Sequence, residues 1–166
     1  MRSVRPWRIS RQPSWPVAAL AATGIGGLAA WLIWPSASGP GANPNDARQV
    51  ALGDAVYQDH CASCHGRDLE GQPDWQTRRP DGRMPAPPHD ASGHTWHHAD
   101  DQLFEIVKSG VGRFAPEGYE SDMPAFDGVL ADEEIWAVLV FIKSTWPERE
   151  RVFQERVSRA AREAKP

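Results

Sequence analysis

Cysteine is scarce in this chain, which has only Cys61 and Cys64 among its 166 residues. A structural zinc site needs four ligands, and no second pair of cysteines at comparable spacing is present to complete one. A disulfide between positions only three apart along the chain would make a poor structural cross-link. The shortage therefore argues against both uses and leaves chemistry, rather than cross-linking, as the purpose of this pair.

Basic residues are also scarce in the central part of the chain. Between Asp46 and Pro147 there are 18 acidic residues against 8 lysines and arginines, a formal charge of −10. Nucleic-acid binding requires a basic surface, so that class of function is excluded. The acidity favours a partner protein with a basic docking surface and an association that weakens with salt.

The two cysteines belong to the stretch Cys61-Ala62-Ser63-Cys64-His65. Two thiols on one helical turn can form thioether bonds to the two vinyl groups of one porphyrin, and the adjacent His65 can present a ring nitrogen to the iron. This pattern is typical of c-type haem attachment. We predict one covalent haem c held by Cys61 and Cys64, with His65 as an axial iron ligand. A redox Cys-x-x-Cys pair is the competing interpretation.

The N-terminal part of the chain has the pattern of a membrane anchor. Residues 17–34 carry no charge, and the residues that precede them include Arg2, Arg5, Arg8 and Arg11. As a helix at about 1.5 Å per residue, residues 17–34 would span roughly 27 Å, enough for the hydrocarbon core of a bilayer. The basic flank predicts that the N-terminus stays in the cytoplasm.

These observations predict three N-terminal segments: a basic cytoplasmic stretch (1–16), a transmembrane anchor or uncleaved signal (17–34) and a flexible linker (35–45). A secretory signal cleaved near Ser36-Ala37-Ser38 is the alternative, although residues 17–34 exceed the usual length of its apolar region. In either case the remainder of the chain is exported.

Two helical patterns frame that remainder. Asn45 or Asp46 can cap a helix in which Gly53 and Tyr57 share one face. Near the other end, apolar residues recur at helical spacing until Pro147 ends the pattern, and they are Ile135, Val138, Leu139 and Ile142. Residues 100–110 predict a shorter helix between the two.

Together these features resemble a class I c-type cytochrome. In that family a Gly-x-x-x-aromatic helix crosses a helix with an apolar-x-x-aromatic pair, and the matching residues here are Gly53, Tyr57, Val138 and Phe141. The resemblance implies an all-α, cytochrome c-like small helical domain around one covalent haem, over residues 46–147. The chain departs from the family at Ala131, where a capping Ser or Thr is usual, so the cap falls to Asp132 or is absent.

The resemblance also implies a second axial ligand. Met123-Pro124 precedes the last helix of the domain and is similar to the family's ligand loop, so we expect Met123 to bind the iron through sulfur. Met84-Pro85 has the same dipeptide but no helix follows it directly. In this family a proline carbonyl after the haem motif accepts the Nδ1–H of the proximal histidine, and Pro85, Pro87 and Pro88 are all candidates.

Several polar residues are candidates for contacts around the cofactor. Trp96 and Arg83 are predicted to contact haem propionates, with Arg78 and Arg79 as alternatives to Arg83. The sequence also contains His89, His94, His97 and His98 within ten positions. Structural or propionate-binding roles are the favoured interpretation of these histidines, and a copper or zinc site is the alternative.

Residues 148–166 predict an amphipathic C-terminal helix or tail. An apolar face contains Phe153, Val157, Ala160, Ala161 and Ala164. A helix packed over the domain or a solvated tail is the simpler interpretation, and a docking helix for a membrane partner is the alternative.

The resemblance implies an electron carrier that is not an enzyme, cycling between Fe(II) and Fe(III) in a bacterial respiratory or periplasmic redox chain. It implies a single-pass protein of the inner membrane with its haem domain in the periplasm. The implied partners are a quinol-oxidising complex or periplasmic dehydrogenase on one side and a terminal oxidase or reductase on the other. An open-iron haem enzyme or sensor, or a haem protein with an additional histidine-based copper site, is the alternative function.

Overall fold

The computed structural model describes residues 42–165, in which five α-helices and two short 3-10 segments make up the regular structure. The helices are α1 (Ala47–His60), α2 (Ala62–His65), α3 (Asp100–Ser109), α4 (Asp132–Thr145) and α5 (Glu148–Glu163), and the 3-10 segments are Thr95–His97 and Val111–Phe114. Residues 42–165 contain no strand, which confirms the predicted all-α fold for this part of the chain.

The predicted cytoplasmic stretch (1–16) and anchor (17–34) lie outside the described residues, as does the linker up to residue 41. Between residues 42 and 165, no helix combines the length and apolar character needed to cross a membrane.

Asp46 caps the N-terminus of helix α1. The Asp46 carboxylate accepts hydrogen bonds from the main-chain N–H groups of Arg48 and Gln49, at 3.0 and 3.3 Å. Because the first turn of a helix leaves its N–H groups without helical partners, this cap stabilises α1 by about 1 kcal/mol.

The crossing of α1 and α4 forms the centre of the domain. Gly53 faces α4 so closely that a Cβ at this position would lie 1.9 Å from the carbonyl oxygen of Ala137. One turn later, the fully buried ring of Tyr57 packs against Phe141, with ring centroids 5.4 Å apart. The helix crossing predicted from these positions is confirmed. Because Cys61 directly follows α1, the crossing also determines where the haem-attachment motif lies against the core.

Helix α4 begins without a capping side chain. Ala131 occupies the cap position, and the carboxylate of Glu134 accepts its N–H at 2.8 Å. Asp132, the residue that the sequence offered as a cap, instead accepts a hydrogen bond from Lys108 on α3 at 2.7 Å. The side-chain cap is therefore absent, and Glu134 partly replaces it from inside the first turn.

Helix α5 exists where the sequence predicts it, but the face that packs inward differs from the apolar face. Its buried residues are the polar Glu150, Gln154 and Ser158, whereas Phe153 is 41% exposed. Of the alternatives left open for residues 148–166, the structure shows a helix packed over the domain, and its most buried residues are polar.

The reason is a buried ion pair beneath α5. Lys143 on α4 donates to Asp100 at the start of α3 at 2.7 Å, and their side chains are only 4% and 7% exposed. Gln154 donates to the same carboxylate at 2.7 Å, and Ser158 accepts the main-chain N–H of Asp100 at 3.0 Å. A buried charge needs hydrogen-bonding partners, so α5 turns its polar stripe toward this pair.

Candidate haem site

The Cys-x-x-Cys-His motif forms the single turn α2. Cys61 ends α1 and begins α2, and its carbonyl accepts the N–H groups of Cys64 and His65 at 3.1 and 2.9 Å. The turn therefore holds the two thiols and the imidazole close together. Both cysteines are free.

The thiol of Cys61 lacks the character of a redox nucleophile. Burial is the larger cause, and electrostatic repulsion from Cys64 the smaller one, that together raise the pKa of Cys61 to about 11. Reactive Cys-x-x-Cys pairs have a thiol pKa below the ordinary value, because the thiolate is the reacting species. The raised pKa of Cys61 thus disfavours the competing redox interpretation.

His65 is buried and held by one main-chain acceptor. Its Nδ1 lies 2.8 Å from the carbonyl oxygen of Pro87, which can only accept, so Nδ1 carries the proton. Burial lowers the pKa of His65, although the bond to Pro87 acts in the opposite direction. A neutral ring protonated at Nδ1 leaves the Nε2 lone pair for a metal. Of the three prolines that the sequence left open, the structure selects Pro87.

Tyr57 supports the end of α2 in a way that the sequence did not reveal. Its hydroxyl donates to the carbonyl oxygen of Gly66 at 2.9 Å. Burial raises the pKa of Tyr57 well above its usual value, so this group stays a donor. The helix-crossing residue therefore also ties the chain directly after His65 to α1.

Met123 lies on a loop that returns to the same core. It is partly buried and packs against the hydrophobic cluster that also contacts Cys61, whereas Met84 is not part of that cluster. Two bonds tie the loop to the end of α3, from the N–H groups of Phe126 and Asp127 to the carbonyls of Val107 and Lys108, at 3.1 and 2.9 Å. This arrangement agrees with the choice of Met123 over Met84, and iron ligation by Met123 stays a prediction.

Four charged residues join the Met123 loop to the loop after α2, and we call them the arginine clamp: Arg79, Arg83, Glu120 and Asp122. Arg83 contacts Glu120 at 3.0 Å and Asp122 at 2.6 Å, and Arg79 also pairs with Asp122. The hydrogen bond from Arg79, supported by the one from Arg83 and opposed by desolvation, lowers the pKa of Asp122. The propionate contact expected of Arg83 stays a prediction, and its guanidinium already contacts two carboxylates. Arg78, an alternative to Arg83 for the propionate contact, lies over the ring of Tyr119, with its guanidinium carbon 5.5 Å from the ring centroid.

Trp96 is partly buried within the 3-10 segment Thr95–His97. Its indole N–H donates to the carbonyl of Ala91 at 3.4 Å, and its ring stacks on His97 with centroids 3.7 Å apart. It also packs against the main core cluster. The expected propionate contact stays a prediction.

The four histidines of the loop do not converge on one point. His97 stacks on Trp96, and His94 stacks on Trp75 with centroids 5.4 Å apart. His89 is half-buried and hydrogen-bonded to Thr95, and desolvation lowers its pKa well below the usual value. Within residues 42–165, no group of three His, Cys, Asp or Glu side chains is arranged to hold a metal ion. The alternative of a histidine-based copper site therefore gains no support from the described residues.

Comparison with known families identifies the chain. A family model described as Cytochrome c matches residues 50–146, more than half of the sequence, and includes the attachment motif and Met123. The chain belongs to the cytochrome c family. No solved structure matches it significantly. Its cofactor is therefore covalently attached haem c, and its function is haem-based electron transfer.

The residues of this cytochrome fit that cofactor. Two free thiols lie one turn apart, and a neutral imidazole beside them has an unprotonated nitrogen. The hydrophobic cluster that contacts Cys61 and Met123 provides an apolar surface for a porphyrin. Each group that covalent haem attachment requires is thus present in the expected chemical state.

Proposed function

We propose that this cytochrome is a closed one-electron carrier in which His65 and Met123 are the two axial ligands of the haem iron. The observation that carries the proposal is the 2.8 Å bond between His65 Nδ1 and the Pro87 carbonyl, which prepares Nε2 as a ligand. Bound haem c supplies reversible Fe(II)/Fe(III) exchange, and a thioether ligand raises the reduction potential.

The protein contributes to this function by keeping the two proposed iron ligands, His65 and Met123, in fixed positions. Pro87 fixes the tautomer and rotation of the His65 ring, and Tyr57 holds the main chain directly after it. The arginine clamp and the bonds to the end of α3 hold the Met123 loop from two sides. Ligands that stay in place during oxidation and reduction keep the reorganisation small, which favours electron transfer over substrate chemistry.

The decisive experiment is the absorption spectrum of the haem-loaded protein in both oxidation states, with and without carbon monoxide. We expect a sulfur-to-iron charge-transfer band in the ferric protein and no carbon monoxide binding. Met123→Ala should lose the band and bind carbon monoxide, whereas Met84→Ala, the matched control with the same Met-Pro dipeptide, should keep the wild-type behaviour.

Ready carbon monoxide binding by the wild-type protein, without the charge-transfer band, would contradict the proposal. That result would establish an open iron and support a haem enzyme or sensor. Loss of the band in Met84→Ala and its retention in Met123→Ala would keep the carrier but transfer the ligand role to Met84.

We further propose that the haem domain lies in the bacterial periplasm, anchored in the inner membrane by residues 17–34. The support is the uncharged stretch with its basic N-terminal flank, together with the need to attach haem c outside the cytoplasm. The full chain should remain with membranes after carbonate extraction, and a chain beginning at residue 36 behind a cleavable signal should be released. Release of both would contradict the anchor.

The proposed partners are a quinol-oxidising complex or periplasmic dehydrogenase and a terminal oxidase or reductase. The formal charge of −10 between Asp46 and Pro147 supports docking through basic surfaces on these proteins. Electron exchange with a basic redox protein should be faster than with an acidic one at low salt, and the advantage should shrink as salt is added. Rates independent of salt would contradict electrostatic docking.

A further inference from the structure

His89 contacts the proximal ligand, although nothing in the attachment motif requires it. The rings of His65 and His89 are stacked, with centroids 4.0 Å apart and planes 21° from parallel. His89 follows Pro87 by two positions, so one short segment touches His65 twice. Pro87 accepts from the edge of the imidazole, and His89 covers its face.

The ring of His89 is held in place from several sides. Its Nδ1 lies 2.8 Å from Oγ1 of Thr95, a side chain that is itself buried. Its main-chain N–H donates to Leu69 at 2.8 Å, and its carbonyl accepts the indole N–H of Trp146 at 2.7 Å. These partners lie in three separate parts of the sequence, so the domain as a whole determines the position of the ring.

An aliphatic side chain would fill this space without burying a polar ring. Even a half-buried imidazole needs a hydrogen-bonding partner, and Thr95 supplies one. What an aliphatic side chain lacks is an aromatic face. Such a face attracts positive charge, and an imidazole bound to iron is more positive in the ferric state than in the ferrous state.

We propose that His89 is a positioning residue for the iron ligand, whose stacked ring limits the rotation of His65 and stabilises the oxidised state of the haem. This inference rests on the proposed function, in which His65 is an axial ligand. It goes beyond that function because it assigns control of the redox equilibrium to a residue outside the ligand set.

The test compares His89→Leu, His89→Phe and His60→Leu in the haem-loaded protein. The measurements are the reduction potential and the electron paramagnetic resonance spectrum of the ferric state, whose g values depend on the orientation of the axial imidazole. His89→Leu should raise the potential and change the g values. His89→Phe keeps an aromatic face and should stay closer to the wild type. His60→Leu removes an exposed histidine of α1 that is not among the propionate candidates, and it should change neither.

An unchanged potential or unchanged g values in His89→Leu would overturn the proposal. Equal shifts in His89→Leu and His89→Phe would also overturn it, because the bond to Thr95 rather than the stacked ring would then be responsible. If His89→Leu does not mature, Thr95→Val keeps the stacked ring and removes only its hydrogen-bonding partner, so the potential and g values should stay close to the wild type, and a large shift in either would count against the proposal. A wild-type protein with an open iron would instead show the failure of the proposed function.

Discussion

At the scale of single residues, two separate contacts prepare His65 as an iron ligand. The Pro87 carbonyl sets the tautomer, and the hydroxyl of Tyr57 holds the main chain at Gly66. Each of these contacts joins positions that are distant in the sequence, so the ligand geometry depends on the folded domain. A change at either supporting residue should therefore affect stability more than it affects the identity of the ligands.

Tyr57→Phe isolates the hydroxyl from the ring. We expect the free energy of unfolding of the haem-loaded protein to fall by about 1 kcal/mol, because the Gly66 carbonyl loses its donor while the packing on Phe141 remains. Denaturant unfolding followed by haem absorbance measures the change. Tyr119→Phe is the control, and it should alter stability by less than about 0.5 kcal/mol. Equal losses in the two variants would show that the Gly66 bond has no special role.

At the scale of elements, the contact between α1 and α4 determines where the attachment motif lies. The two helices approach closely because Gly53 has no side chain. The following turn then buries Tyr57, and the helix ends at Cys61. The crossing point therefore sets the position of α2 relative to the rest of the core.

Gly53→Ala should disrupt this crossing. The new Cβ would lie 1.9 Å from a main-chain oxygen of Ala137, so the helices must separate. We expect a loss of at least about 2 kcal/mol in the free energy of unfolding, or a failure to mature with haem. Gly112→Ala is the matched control, since a Cβ there meets no atom within 4 Å. Wild-type stability in Gly53→Ala would mean that the helices do not cross as described.

At the scale of the whole molecule, polar contacts join distant segments in addition to the hydrophobic core. Beneath α5, the pair of Lys143 and Asp100 connects three helices. The arginine clamp connects the loop after α2 to the loop of Met123. The clamp is exposed, so its strength should respond to salt and pH, whereas the buried pair should not respond to salt.

The pH dependence of the clamp has a definite sign. Because the pKa of Asp122 is lowered, its contribution is present above the usual carboxyl range of about 4 and is lost as the pH falls through the lowered value. We expect the sulfur-to-iron band of the wild type to persist at pH 4 and to disappear only below it. In Arg79→Gln/Arg83→Gln the band should disappear at a higher pH, and at neutral pH it should disappear at a lower temperature.

The control for the clamp is Arg113→Gln, which removes an exposed pair with Glu105 at 3.0 Å. This pair lies outside the contact between the two loops, so its loss should leave the acid transition of the band where it is in the wild type. High salt should move the wild type toward the double variant. An acid transition identical in all three proteins would show that the clamp does not hold the ligand loop.

Features encoded by neighbouring residues could be predicted from the sequence. The Cys-x-x-Cys-His turn, the Asp46 cap and the spacing of Ile135, Val138 and Ile142 are all local, because a helix brings residues three or four apart onto one face. These signals were sufficient for the all-α fold, the haem attachment and the crossing of α1 and α4.

Features that depend on distant pairing were not predictable. Hydrophobic periodicity predicted the helix α5 but not which face packs, because the buried charges of Asp100 and Lys143 turn its polar stripe toward them. No spacing rule links Arg83 to Asp122, so the sequence could not predict their ion pair. It suggested only haem propionates as partners for the arginines. The stacking of His89 on His65 likewise has no signal in a linear pattern.

The sequence by itself determined the cofactor, the helices and the family, because a covalent attachment motif and helical periodicity need only neighbouring residues. The tertiary structure alone decided which proline orients His65, which ring covers it and which face of α5 is buried. The physical reason is that burial and hydrogen bonding are settled between segments far apart in the chain, where desolvation must be offset by whichever polar partners the fold brings near.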